Sequence, residues 1–247
     1  MNTLVLLVAA FAAGAINSIA GGGTLLSFPA LVWLGRDPIL ANATNTVALW
    51  PGSFAGVLGF RREVASARRW LLFLTIPSLL GGTAGAILLL HTTSKTFSNL
   101  VPFLILGATL LLAAQEVITR KLQLVAQGHR WIAAAFVFQF LVGIYGGYFG
   151  AGMGILMLAA LGLIGLTDLH QMNGLKNLMA ICINGVAAIY FAFSGAVLWR
   201  DAGMMAVASI VGGYLGAKIA RRLGRTFVRG LVVAIGLTMT VALFLKR

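Results

Sequence analysis

Apolar residues run along this chain in ten stretches, at about 3–19, 24–35, 41–59, 70–90, 98–116, 131–149, 153–166, 171–193, 201–219 and 228–245. Short joints between them hold nearly all the charge. A helix needs ~20 apolar residues to cross a bilayer. Eight stretches approach that length, while 24–35 and 153–166 fall short of it. The pattern predicts an all-α, polytopic membrane bundle in which the two short segments are half-helices or re-entrant arms.

Each short segment follows a glycine cluster. The first reads Gly14-Ala-Ile-Asn17-Ser18-Ile-Ala-Gly21-Gly22-Gly23-Thr24, and the second reads Gly143-Ile-Tyr145-Gly146-Gly147-Tyr148-Phe-Gly150-Ala-Gly152-Met153-Gly154. Gly14, Gly21 and Gly23 lie 129 residues before Gly143, Gly150 and Gly152. Asn42-Ala-Thr44-Asn45 precedes Gly174-Leu-Lys176-Asn177 by 132 residues, and Gly81-Gly82-Thr-Ala-Gly85 precedes Gly212-Gly213-Tyr-Leu-Gly216 by 131. Three matches in one order at nearly one offset predict an internal duplication. The repeats would be 1–119 and 131–247, joined by a cytoplasmic linker at 120–130. Glycine loosens a helix and bares its polar backbone. Lipid does not tolerate bare backbone, but a protein-enclosed cavity does. Interrupted segments in matching positions of two halves point to a transporter's binding site.

Charge placement sets the orientation. The chain is 60% hydrophobic and 9% charged, with a mean hydropathy of +0.99, whereas a soluble domain is about a quarter charged. The net charge of +13 sits in short loops, which marks membrane orientation rather than a nucleic-acid face. Thirteen basic residues, from Arg61 to Arg229, collect on one side; Arg36, Lys95, Arg200, Lys246 and Arg247 fall on the other. The richer side is expected to be cytoplasmic. Five segments per half is an odd number, so the halves would enter the membrane from opposite sides, with both termini non-cytoplasmic. The first stretch lacks a basic flank and runs straight into the glycine cluster, so it is expected to be a retained membrane segment. Trp70, Trp131 and Trp199 each adjoin an arginine at a segment edge, as an aromatic belt does. The five prolines all lie in the first half, and Cys182 has no cysteine to pair with.

The polar residues narrow the chemistry. All five acids, Asp37, Glu63, Glu116, Asp168 and Asp201, lie near segment ends. A cation pump or proton relay places carboxylates mid-span, so neutral donors and backbone N–H groups remain at depth, and these suit an anion. Half-helices starting near Thr24 and Met153 would present free N–H groups and positive dipole ends to it. The candidate substrate-binding residues are Asn17, Ser18, Gly21, Gly22, Gly23, Thr24, Thr44 and Asn45 from the first half. From the second half they are Tyr145, Tyr148, Gly150, Gly152, Met153, Gly154, Lys176 and Asn177, with Asn173 as a further donor. Small-residue helix packing competes with this reading, and Gly81/Gly85 and Gly212/Gly216 are expected to be packing pairs. Lys176 is either a counter-charge for the anion or a side chain that snorkels to the interface. His91, His129 and His170 have no metal-ligand spacing, so no metal or cofactor is expected. No His-Glu-x-x-His, no nucleophile elbow and no paired acids argue for an enzyme. Gly150-Ala-Gly152-Met-Gly154 lacks the soluble strand–turn–helix context of a dinucleotide site.

The string Gly14-Ala-Ile-Asn17-Ser18-Ile-Ala-Gly21-Gly22-Gly23-Thr24-Leu-Leu-Ser27-Phe-Pro29, followed by Ala41-Asn42-Ala43-Thr44-Asn45, resembles the sulfite exporter TauE/SafE family of anion permeases. Gly150-Ala-Gly152-Met-Gly154 and Gly174-Leu-Lys176-Asn177 resemble that family's second motif. The chain departs in having Asn42 where the family often has glycine, and in Tyr145 and Tyr148 beside the second cluster. The resemblance implies a multi-pass permease of a bacterial or archaeal inner membrane. Its substrate would be a small sulfur-containing anion such as sulfite, sulfoacetate or another organosulfonate. Alternating access between two inverted repeats is the expected mechanism, with an anion channel, a carboxylate carrier or a membrane scaffold as alternatives. The expected partners are the anion and membrane lipid, with a co-transported proton or sodium ion and a homodimer left open.

Overall fold

The computed structural model describes residues 2–19, 22–58, 68–125, 131–223 and 225–245. They form eleven helices: α1 (Asn2–Ile19), α2 (Thr24–Trp33), α3 (Pro38–Leu58), α4 (Arg68–His91), α5 (Ser94–Ala113), α6 (Gln115–Val125), α7 (Ile132–Tyr148), α8 (Met153–Leu163), α9 (Leu169–Ser194), α10 (Trp199–Leu223) and α11 (Arg225–Leu245). No strand occurs among the described residues. Each of the ten apolar stretches carries a helix. The addition is α6, which starts at the end of the fifth stretch, runs into the 120–130 segment and packs on α8. Its exposed Glu116, Arg120 and Lys121 set it apart from the apolar helices.

Among the described residues, four helices are long and apolar enough to cross a membrane, over Trp70–His91, Ser94–Ala113, Gln171–Ser194 and Phe227–Leu245. On α4, Leu72, Ile76 and Leu80 are exposed while Leu74, Ser78 and Gly81 are buried. In water the outward stripe would be polar; here it is aliphatic, as lipid requires. The four shorter apolar helices are the two pairs flanking the glycine clusters.

Local signals fix the helix starts. Asp37 accepts from the N–H groups of Ile39 (2.9 Å) and Leu40 (3.3 Å) through Oδ1, just ahead of Pro38 at the first helical position of α3. This is the cap-then-proline start that satisfies orphan N–H groups. Thr93 caps α5 by accepting from the Thr96 N–H at 3.2 Å.

Packing is reciprocal between the halves. The two most extensive helix contacts are α1 with α10 and α7 with α4. The next are α3 with α10, α9 with α4, α3 with α9, and α5 with α11. The contacts use matching residues. A Cβ on Gly212 would collide with the Phe11 carbonyl, and one on Gly81 with the Phe140 carbonyl. Phe11 and Phe140 are 129 residues apart, and Gly81 and Gly212 are 131 apart, the same offsets that relate the sequence motifs. The packing expected at Gly81 and Gly85 is therefore present: Gly81 lies against Phe140 and Gly143, and Gly85 against Ile144 and Tyr148.

Ion pairs join the halves at both ends. Arg36 Nε donates to Asp201 Oδ2 at 2.8 Å, and Arg229 Nη2 meets Glu116 Oε1 at 2.7 Å. Asp201 is 7% exposed at its side chain, so Arg36 neutralises a carboxylate that would otherwise be buried without a partner.

Candidate functional site

The interrupted pairs α1–α2 and α7–α8 are hairpins of helices rather than through-going spans. The Trp131 N–H at the start of α7 donates to the Leu163 carbonyl at the end of α8, at 2.9 Å. The second hairpin thus begins and ends at one level. Its returning arm has 11 residues, and that of the first hairpin has 10. These arms are about 15–16 Å long, half of a ~30 Å hydrocarbon core. Each returning arm therefore covers about half of that core, while the outgoing arms α1 and α7, with 18 and 17 residues, are longer.

The first tip is tied by neutral polar groups. The Gly23 N–H donates to Asn17 Oδ1 at 2.9 Å. Ser27 Oγ donates to Asn45 Oδ1 at 2.5 Å and lies 3.2 Å from the Gly23 carbonyl. Asn45 Nδ2 reaches Thr24 Oγ1 at 3.5 Å. Asn45 and Ser27 thus hold α3 against the first turn of α2, and Asn17 substitutes for a missing turn of helix. The Thr24 N–H has no acceptor among the described residues. Thr44 is not at this tip: its buried Oγ1 accepts from the Leu198 N–H at 3.0 Å, linking α3 to the segment before α10. Gly21 and the Ser18 side chain lie outside the described residues.

The second tip is tighter. The N–H groups of Phe149 and Gly150 both turn back to the Tyr145 carbonyl, at 2.9 and 3.0 Å. The Tyr145 hydroxyl donates to the Ala151 carbonyl at 2.6 Å and so braces the turn. Gly152, with φ at +73°, starts α8 in the left-handed region. The N–H groups of Ala151, Gly152 and Gly154 have no acceptor among the described residues. Met153 is buried, with its sulfur against Gly146. Lys176 from α9 lays its stem along Gly154, with Cδ 3.2 Å from where a Cβ would be, and donates from Nζ to Asn173 Oδ1 at 3.0 Å. Asn177 is half-buried on the same helix.

Both tips meet the same helix. Gly22 faces Leu112 and Gly152 faces Ala108, which are one turn apart on α5. The two half-helix N-termini therefore converge within about one helical pitch of each other along α5, roughly 6 Å.

Tyr148 has a different place from Tyr145. Its hydroxyl donates to Thr92 Oγ1 at 3.4 Å, and its ring meets Phe97 edge-on at 5.6 Å. Phe28, Phe97 and Phe149 complete a buried cluster with centroids 5.4–6.5 Å apart. Thr92, the partner of the Tyr148 hydroxyl, lines a polar mouth, a cavity of about 570 Å³ that is also bounded by Asp37, Leu40, Ser94, Ser194 and Ala196. A second cavity of about 500 Å³ lies along Ala133, Val137 and Leu141 on the apolar flank of α7.

Several residues at the site are not among the sequence candidates. Ser27 lies inside the quoted first motif, and Asn42 opens the second, so motif membership was the available signal for both. Asn184 approaches Gly150, with Oδ1 3.8 Å from its Cβ position; it stands alone in an apolar run and carries no sequence signal. Among the described residues no group of three His, Cys, Asp or Glu could hold a metal ion.

The family described as Sulfite exporter TauE/SafE matches residues 6–243. A probable membrane transporter protein of Haemophilus influenzae is 32% identical over 241 residues, covering 96% of this chain and 92% of that protein. Probable membrane transporter protein ORF9 of a Sinorhizobium species is 29% identical over 243 residues, covering 96% and 90%. Probable membrane transporter protein YfcA of Escherichia coli K12 is 28% identical over 244 residues, covering 97% and 88%. No solved structure matches the chain.

Proposed function

This chain belongs to the sulfite exporter TauE/SafE family and is a multi-pass membrane transporter, and from that premise we propose that it carries a small sulfur-containing anion, such as sulfite, sulfoacetate or another organosulfonate, by alternating access. The observation that carries this is the convergence of two half-helix N-termini on one turn of α5, with Thr24, Ala151, Gly152 and Gly154 holding N–H groups that lack acceptors among the described residues. Fixed N–H dipoles at helix starts bind oxyanions without a formal positive charge. Uncharged donors also hold the anion weakly enough to release it.

The halves are two repeats of inverted topology in this reading. Reciprocal packing of α1 on α10 and of α7 on α4, through residues at the repeat offset, supports it. The first hairpin enters from the non-cytoplasmic side and the second from the cytoplasmic side. In this reading the ring cluster of Phe28, Phe97, Tyr148 and Phe149, one hydrogen bond from Thr92 in the wall of the polar mouth, acts as the closed side of the path. A carrier has such a closed side in each state, whereas an open channel has none.

Flux into liposomes tests the reading. Saturable uptake of sulfite or a sulfonate, with counterflow, is expected from a panel that includes carboxylates, measured with and without a pH gradient. Flux that rises without saturation and shows no counterflow would make the protein a channel. Carboxylate uptake without sulfonate uptake would replace the substrate class.

Lys176→Gln separates the two roles of that side chain. Its stem packs on Gly154 in the first turn of α8, so its charge adds to the positive field of that helix start. A charge at a helix terminus is worth about 1 kcal/mol, so half-saturation for the anion should rise about fivefold. An unchanged value would assign Lys176 to the interface.

A further inference from the structure

We propose that Asn42 and the C-terminal end of α7 form a binding site for a desolvated alkali-metal cation, Na⁺ being the probe. Asn42 is 1% exposed, and its Nδ2 donates to the Tyr148 carbonyl at 2.9 Å. A carbonyl only accepts, so the amide cannot be turned round. Its Oδ1 is thereby left as the one buried side-chain oxygen or nitrogen without a hydrogen-bond partner among the described residues. An acceptor buried in this way is costly unless something positive meets it.

The helix end beside it is short of donors too. The N–H groups of Phe149 and Gly150 both go to the Tyr145 carbonyl. The carbonyls of Gly146 and Gly147 therefore accept from no N–H among the described residues. A helix C-terminus carries partial negative charge, and unwound carbonyls at such an end suit a small hard cation. Among the described residues no carboxylate joins them: Asp37, Glu116, Asp168 and Asp201 all lie at segment ends. Neutral oxygens without an acid favour a monovalent ion over a divalent one, and give a proton no carboxyl group to occupy.

The position also bears on coupling. Asn42 is on α3 of the first half and Tyr148 on α7 of the second, so a cation there would bridge the halves. The second half-helix begins at Met153, five residues after Tyr148. One break in the chain would then offer a cation its carbonyl end and an anion its N–H end. This extends the anion-carrier reading by naming the co-transported ion, but Na⁺ binding is measured with no anion substrate present.

The test uses the full chain purified in detergent, with thermal unfolding in NaCl against choline chloride at fixed ionic strength and equilibrium dialysis of radiolabelled Na⁺. Saturable stabilisation and binding with Na⁺, absent with choline, is expected. Asn42→Ala should weaken the Na⁺ Kd by about tenfold or more, one hydrogen-bond-sized contact to a charge. Asn42→Asp keeps an oxygen at that position while adding negative charge, and should bind Na⁺ severalfold more tightly than the parent; it carries the test if the alanine variant does not fold, an unchanged Kd then overturning the site. Identical melting in both salts, or Na⁺ binding unaltered in both variants, overturns the site and leaves the oxygen to a structural water. Anion flux that stays saturable in choline medium while Na⁺ binding is absent would sink this site and spare the anion reading.

Discussion

Gly152→Leu is expected to abolish anion uptake while the protein still reaches the membrane folded. Gly152 sits at φ +73°, a conformation that costs an L-residue about 1–2 kcal/mol. A Cβ there would lie 3.3–3.5 Å from the Ala108 backbone and Cβ, tight but not colliding. A leucine must therefore place its side chain between the second tip and α5, where the two half-helices converge. It would cover the N–H groups of Gly152 and Gly154 and push α8 away from α5. Losing one hydrogen bond to a charged group costs about 1.5–3 kcal/mol, and here several donors shift together. The three atoms nearest that Cβ position all belong to Ala108 of α5, not to the pairs α1–α10 and α4–α7 that dominate packing. Yield and monodispersity should thus stay near the parent's while flux falls below detection. Gly152→Ala should keep partial activity, because it adds the strained φ without the bulk. Gly22→Leu probes the first tip in the same way: φ is +94° and Leu112 lies 3.5 Å from the Cβ position. Parent-like uptake in both leucine variants removes the site from the glycine tips.

Much of this molecule is written in its periodicity, and the missing parts share a cause. Apolar run length places each of the ten stretches on a helix and marks 24–35 and 153–166 as too short to span, because lipid sets both the length and the composition of a crossing helix. The repeat offsets reappear as matched contacts at Phe11–Gly212 and Phe140–Gly81. The sequence does not say which helix each face meets. A stripe such as Leu72, Ile76 and Leu80 has the same composition as a buried one, since the solvent on both sides is apolar. The pairing of α1 with α10 across the halves was therefore invisible. So was α6, whose mixed face marks an interface rather than a span. At the site, the motifs placed Asn17, Thr24, Asn45, Gly152 and Gly154 in the two tips, because clustered glycines interrupt a helix and exposed amides are costly in lipid. They did not distinguish a donor spent on the protein from one left free. Thr44, beside Asn45 in sequence, points to Leu198 on another layer, since adjacent residues on a helix face directions 100° apart.

Gly85→Val should have the opposite signature to Gly152→Leu: the folded protein itself should be lost. A Cβ on Gly85 would fall inside the Ile144 carbonyl and 2.8 Å from the Tyr148 N, both backbone atoms of α7. Backbone cannot rotate out of the way as a side chain does, so α4 and α7 must separate. Their contact is one of the two most extensive in the molecule, and helix association in lipid depends on close backbone approach through small residues. Overpacking a tight core costs about 1–3 kcal/mol when side chains can adjust; a backbone collision between two helices exceeds that. The membrane-inserted yield should fall several-fold, with the remainder aggregated on size exclusion, whatever substrate is present. Gly212→Val should behave alike through the Phe11 carbonyl of α1. Gly107→Ala and Gly203→Ala are the controls, because nothing lies within 4 Å of either Cβ position and neither has a positive φ. Those two should keep or slightly raise the melting temperature, by the roughly 0.5–1 kcal/mol that alanine gains over glycine in a helix. If Gly85→Val folds and transports like the parent, the tight contact between α4 and α7 is not what holds the halves together.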